Sequence, residues 1–342
     1  MKKFLLVIIL LLCSLAIFSG NAKAAGKKSG RYRYNVLNKK MKTAAITHVG
    51  NTGTTVKIPK KINGYTVVQI GTTEKTDTKF RIFTKKDAGK IQQIKLPDTL
   101  RKIGIKAFMD CNKLKNIVLP KKLSKIGESA FYCCYSLEKV VFKTNNAKIG
   151  KFAFLTGSQL LSSEKRSHLR KIEFPMTYKG KIMEGAFNGF IGTTFNWVNF
   201  TADNGAFLRW VTTLKQIKVH PKTNKVDIPR NCLDGCAQQV QISVPKYVES
   251  VHIWQQRYNI KQITIYGMDT TLKGDYFMGK YHEEIMISVE TVKCKKKSVA
   301  WEMASQYICP DFTNVDWENF TEDSTDYNEN NIEFKQVALV AL

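Results

Sequence analysis

The sequence predicts a β-dominated solenoid: an elongated stack of coils of about 23 residues that share a parallel sheet. Short turns and 3-10 segments are expected opposite the sheet, with a capping helix near the C-terminus. Three observations predict it. One block recurs at a fixed 23-residue offset between residues 91 and 154, and looser copies follow. The apolar content of 43% is ample for a continuous core. Finally, the apolar residues inside each block alternate as in a strand, with turn residues placed after them.

The block from Ile91 to Cys111 reads IQQIKLPDTLRKIGIKAFMDC, and the block from Leu114 to Cys134 reads LKNIVLPKKLSKIGESAFYCC. Ten of 23 positions are identical, where average residue usage would give about one or two. A third copy runs through Leu137, Val140, Phe142, Ile149-Gly150 and Ala153-Phe154. After an insertion near residues 158–167 the pattern resumes at Leu169, Ile172, Phe174-Pro175, Ile182 and Ala186-Phe187. Looser copies start near Phe195, Leu214 and Val240, and Ile260 to Ile265 reads as the last strand.

Each part of the unit has a physical role. In Leu-x-x-Ile-x-Leu alternate residues point into the stack and the others face outward. Pro97, Pro120 and Pro175 end the strand, because proline cannot donate to the ladder. Ile-Gly is expected to turn the chain through backbone angles that other residues avoid. Ala-Phe packs the opposite side, and the recurring Cys fills a small apolar slot. One coil cannot bury its own face, so neighbours must stack. Ile94, Ile117, Val140, Ile172 and Ile217 should form one buried ladder, and Phe108, Phe131, Phe154 and Phe187 a second.

The ends are read by the same logic. Residues 1–24 have the basic start, apolar run and Ala-Lys-Ala cleavage site of a secretory leader, and no later run is long enough for a membrane span. Residues 25–66 are expected to be an N-terminal cap of strands, residues 67–266 the solenoid, and residues 267–310 a C-terminal cap. That cap should contain a helix begun by Ser298, with Val299, Ala300, Met303, Ala304, Tyr307 and Ile308 on one stripe. Residues 311–342 read as an acidic tail, with Glu318 to Asn331 disordered.

The spacing L-x-x-I-x-L-P-x-x-L-x-x-I-G-x-x-A-F-x-x-C resembles the BspA-like class of bacterial leucine-rich repeats. A preceding stretch is similar to that family's usual lead-in: Ala45-Ile46-Thr47, Val56 to Pro59, Ile62-Asn63-Gly64 and Val67 to Gly71. The resemblance covers about Tyr32 to Ile308. It implies an extracellular or cell-surface binding protein linked to adhesion to host proteins or other cells.

Charge narrows the partners. The chain carries +26, while residues 311–342 hold eight acids and one lysine. So basic a body attracts polyanions. The classes weighed are recognition of an extracellular protein or glycan, retention on an anionic cell-wall polymer, and an extracellular enzyme without a recognisable motif. Export argues against nucleic acid as a natural partner, and a monomer is expected. The histidines are scattered, Cys232-x-x-x-Cys236 lacks a second pair, and no nucleophile signature appears. The reading therefore assigns no catalytic residue, metal or cofactor. The cysteines left after the leader, an odd number, read as core thiols rather than a disulfide framework.

Outward strand positions supply the candidate ligand-binding residues: Lys95, Lys115, Lys139, Arg170, Lys171, Trp197, Lys215, Lys218 and Lys261. Trp197 is read as outward and able to stack on a sugar. Tyr132, Tyr135, Trp210 and Trp254 are read as packing residues.

Overall fold

The computed structural model describes residues 26–73, 80–157, 167–202, 207–209, 211–254, 256, 260–276, 285–286, 289–311 and 333–342. The leader and Glu318 to Asn331 lie outside them, as does Trp210.

Each coil has three sides. Long strands form the first: Thr55–Lys57, Gln93–Lys95, Asn116–Leu119, Lys139–Phe142 and Lys171–Glu173 pair in parallel. Their alternation is the expected one, with Ile117 and Leu119 buried and Asn116 and Val118 exposed. The second side is a sheet of short Lys-Ile strands, Lys102–Ile103, Lys125–Ile126, Lys148–Ile149 and Lys181–Ile182. On the third side the Ala-Phe turns are joined by main-chain bonds, with the Phe131 N–H donating to Ala153 O at 2.8 Å and Phe154 N–H to Ala186 O at 2.9 Å. The phenylalanine ladder is as expected. Phe108, Phe131, Phe154 and Phe187 stack with successive centroids 5.2, 4.9 and 5.4 Å apart.

The Ile-Gly glycines have a different cause from the expected one. Gly104, Gly127 and Gly150 are not in the left-handed region. They let one coil lie against the next. A Cβ on Gly127 would sit 2.5 Å from Gly104 C and Ile105 N, and one on Gly150 2.7 Å from Glu128 N. The left-handed turn comes two residues later, at Lys106, Ser129, Phe152 and Gly185, with φ of 50°, 54°, 52° and 61°. Three of the four carry a side chain there, at a cost of about 1–2 kcal/mol each that the coil packing must offset.

The single expected ladder is two. Ile94, Ile117, Val140 and Ile172 belong to the first sheet, whereas Ile217 lies in a second. That sheet consists of Thr194–Trp197, Gln216–Val219, Gln241–Val244, Ile260–Ile265, Val289–Cys294 and Ala338–Ala341. At the junction the inner slots hold Phe174, Phe195 and Trp197 in place of aliphatic residues. Phe200 and Phe207 close the cluster at 4.7 Å from Trp197 and 5.3 Å from Phe200. Between Lys171–Glu173 and Thr194–Trp197 the pairing of long strands stops, while the Ile191 N–H to Leu169 O bond at 2.7 Å persists. The short-strand side continues beyond the break as Lys225–Ile228, Ser250–Ile253 and Thr271–Lys273.

At the N-terminus, Lys27–Ser29, Tyr32–Asn38 and Thr43–Val49 form an antiparallel cap, joined in parallel to Tyr65–Ile70 and so to the short-strand sheet. This covers an edge that would otherwise be open. At the other end the ladder runs past Ile265. Val289–Cys294 adds a further strand, so residue 266 is not where the stack stops. The helix Val299–Ala304 is capped by Ser298, whose Oγ accepts from the Trp301 N–H at 3.2 Å. It is shorter than the expected stripe, because Tyr307 already begins the strand Tyr307–Asp311. The end of the acidic segment is not a free tail. Glu333–Gln336 pairs with Tyr307–Asp311, and Ala338–Ala341 pairs with Val289–Cys294.

The cysteines fit the apolar-slot reading. Cys111, Cys134, Cys232, Cys236 and Cys294 are buried and unbridged, while Cys133 is half-buried. Burial pushes the Cys236 thiol up to about 12, and it raises the others too.

Candidate binding surfaces

The outward rows of the first long-strand sheet follow from its register. Thr55, Gln93, Asn116, Lys139 and Lys171 stand in one row. Of the expected residues, Lys95, Lys115, Arg170 and Lys171 are exposed there and Lys139 is half-buried. They do not form an open basic groove. Glu173 lies between two of them, with Lys139 at 3.0 Å and Lys171 at 2.9 Å. Hydrogen bonds from Lys171 and then Lys139 hold its carboxyl below the usual range.

The second long-strand sheet is different again. Its register aligns Thr194, Gln216, Gln241, Gln262 and Thr291. This neutral hydrogen-bonding row is flanked by Lys218 and by Lys215 and Lys261 at the strand starts, all three exposed.

Trp197 does not face outward. It is 1% exposed and pairs with Val219 as an inward residue, one strand position from the exposed Asn196. Counting this coil from Phe195 shifted the register; Phe195 matches Ile172 of the preceding coil, not Leu169. A shift in strand register reverses which face a side chain takes.

Trp254 is the opposite correction, since it was read as packing and is 38% exposed. Its indole Nε1 donates to Asp227 Oδ1 at 2.7 Å, and its ring lies 4.4 Å from that of His252. Asp227 and His252 are register partners on adjacent short strands, so the indole is held by its own sheet. Tyr132 and Tyr135 are half-buried. Other exposed aromatics are Tyr247 and Tyr266, at 43% and 48%. They sit where the long strands Gln241–Val244 and Ile260–Ile265 give way to the coil corner, and no repeat-spacing signal marks them.

No group of three or more His, Cys, Asp or Glu side chains suited to a metal is present among the described residues. Among those residues no helix is long and apolar enough to cross a membrane.

Among solved structures, a leucine-rich cell surface protein of Faecalibacterium prausnitzii is 16% identical with a TM-score of 0.37, over 81% of this chain and 86% of that one. The Treponema pallidum leucine-rich repeat protein is 21% identical with a TM-score of 0.37, over 62% and 89%. The pneumococcal vaccine antigen PcpA is 14% identical with a TM-score of 0.35, over 80% and 82%. No curated protein sequence matches it significantly. The model of the BspA-type leucine-rich-repeat region matches residues 81–184 and 164–284, more than half of the chain. The chain belongs to the BspA-type leucine-rich-repeat family.

Proposed function

We propose that this is an exported, non-enzymatic binding or adhesion protein that recognises an extracellular protein or glycan with the surfaces of its stacked coils. The observation that carries the reading is the set of exposed aromatics at strand ends and in the turn beside them: Trp254 and Tyr266 directly after their strands, and Tyr247 in the following turn of its coil. Aromatic side chains held at a defined place are the usual anchors of recognition, because they bury much area for little lost conformational freedom. The neutral row Gln216, Gln241 and Gln262 supplies hydrogen-bonding groups on the same half of the molecule.

The test is binding of the chain from Ala25 onward to a panel of matrix proteins, neutral and acidic glycans and wall polymers at two salt concentrations. Recognition anchored by aromatics should persist at high salt and fall at least tenfold in a Tyr247→Ala, Trp254→Ala, Tyr266→Ala variant, about the loss of one interface anchor. Unchanged binding in that variant would remove the aromatic anchors from the account. A second reading, retention on an anionic cell-wall polymer, is favoured by the net charge of +26; it requires attachment that collapses as ionic strength rises.

A further inference from the structure

A row of lysines also lies away from the long-strand faces, on the short-strand side of the coils. Lys125 pairs in register with Lys102 on one side and with Lys148 on the other. Ile149 pairs with Ile182, which puts Lys181 next in the row. In each strand the following isoleucine is fully buried, so alternation aims each lysine outward. At a strand spacing of about 4.8 Å the four stems make a straight row about 14 Å long, running along the stack.

Among the described residues, its first three members are not neutralised. Lys102, Lys125 and Lys148 enter no ion pair among the described residues. The segments leading into the strands, 97–101, 120–124, 143–147 and 175–180, hold one acid, Asp98, and it is bridged to Lys60 at 3.1 Å. The long-strand face is the contrast, since there Glu173 answers Lys139 and Lys171. Like charges side by side on adjacent strands oppose folding, so the row is a cost to the free protein that a bound polyanion would relieve.

We infer that this face binds a linear acidic polysaccharide, laid across the strands so that successive acidic groups pair with Lys102, Lys125 and Lys148. Charge complementarity and repeat length argue for that occupant. An extended sugar chain with one acid per ring advances by close to one strand spacing per ring. The same side of the coil, further along, carries the Trp254 ring beside His252, a surface on which a sugar ring can stack, with the Asp227 carboxylate taken up by the indole N–H at 2.7 Å and Lys225 at 3.6 Å. The two stretches are joined across the sheet break by hydrogen bonds from Asn199 Nδ2 to Lys222 O at 2.7 Å and from the Asn224 N–H to Asn199 Oδ1 at 3.2 Å. This inference rests on the binding function proposed above and names one ligand class for it.

The experiment compares polygalacturonate, neutral dextran and inorganic polyphosphate as probes for three variants of the whole chain from Ala25. The first is Lys102→Gln, Lys125→Gln, Lys148→Gln; the second, of equal charge change, is Lys95→Gln, Lys115→Gln, Lys218→Gln; the third is Trp254→Ala. Melting curves establish that each is folded. Polygalacturonate affinity should fall at least about tenfold in the first variant, since lysines at a charged surface contribute on the order of 1 kcal/mol each. It should fall less than about threefold in the second, as expected for screened long-range attraction alone. Trp254→Ala should weaken polygalacturonate and leave polyphosphate unchanged, and dextran should not bind to the row. Equal losses in the two lysine variants would overturn the site, leaving only net charge. Ladder-dependent polyphosphate binding as tight as that of polygalacturonate, with no effect of Trp254→Ala, would overturn the sugar assignment. A chain that binds other members of the panel but not polygalacturonate sinks this inference alone; a chain that binds nothing sinks the functional reading with it.

Discussion

Replacing Phe131 with alanine tests the solenoid at its centre. Phe131 is fully buried and stacked between Phe108 at 5.2 Å and Phe154 at 4.9 Å, the second pair only 8° from parallel. Withdrawing its apolar surface forfeits about 2–3 kcal/mol. Two ring contacts contribute about 0.5–1.5 kcal/mol each beyond that. The sum, about 3–6 kcal/mol, overlaps the range of about 3–5 kcal/mol for truncating a buried phenylalanine. The loss is felt by both neighbouring coils, because a stack is held by its nearest-neighbour interfaces, so the urea transition should also broaden. Phe131→Leu keeps most of the volume and should lose much less, about 1–1.5 kcal/mol. Urea unfolding followed by circular dichroism measures both. A loss under about 1 kcal/mol for Phe131→Ala would mean that the ring is not packed between coils, and the three-sided coil would be wrong.

Three further outcomes follow from the same packing. Gly127→Ala should destabilise by about 2 kcal/mol or more through overpacking, because the new Cβ meets Gly104 C and Ile105 N; Gly53→Ala, with nothing within 4 Å, should be nearly silent in the same melts. Native protein treated with a thiol reagent near neutral pH should react at Cys133 and far more slowly at Cys111, Cys134, Cys232 and Cys236, all of which should titrate after unfolding; burial holds these thiols protonated. Trp197→Ala should cost about 3–5 kcal/mol as a core truncation, whereas Trp254→Ala should leave the melting point within about 1 °C to 3 °C of the parent, as a surface change does.

The repeat was legible because the same residue types must fill the same slot in each coil, and residues 91–154 satisfy that condition closely. Legibility failed where a slot changed occupant. The coil containing Trp197 has Gly192 near the slot where its neighbours carry leucine, so counting from Phe195 inverted the strand. Val289, Val292 and Cys294 keep the strand spacing, but Lys295 to Lys297 follow in place of proline, and the strand passed as cap. Outward lysines are legible on one side of the coil alone, since only the long strand shows a clear alternation. A two-residue strand has too few positions to show a period, although Lys102 and Lys125 recur at the 23-residue offset. The apolar run Val337 to Leu342 is legible as a segment able to pair with a sheet edge, but its partner Val289–Cys294 lies far away in the chain, and no local pattern names that partner.

The lysine row also makes a prediction that needs no ligand. Lys125 has a lysine in register on each side, and two unit charges about 4.8 Å apart in water repel by about 0.9 kcal/mol before screening. The flexible stems splay and reduce this, so about 0.5 kcal/mol per neighbour is a fair expectation at low salt. Lys125→Gln should therefore stabilise the free protein by about 1 kcal/mol in dilute buffer. The gain should vanish near 1 M salt, where the screening length falls to about 3 Å. Lys139→Gln should behave in the opposite sense, because it removes a partner of Glu173. A stabilisation that salt does not erase would point to packing rather than repulsion. If Lys125→Gln destabilises at low salt, the row is not electrostatically strained, and the physical argument for a polyanion on that face loses its main support.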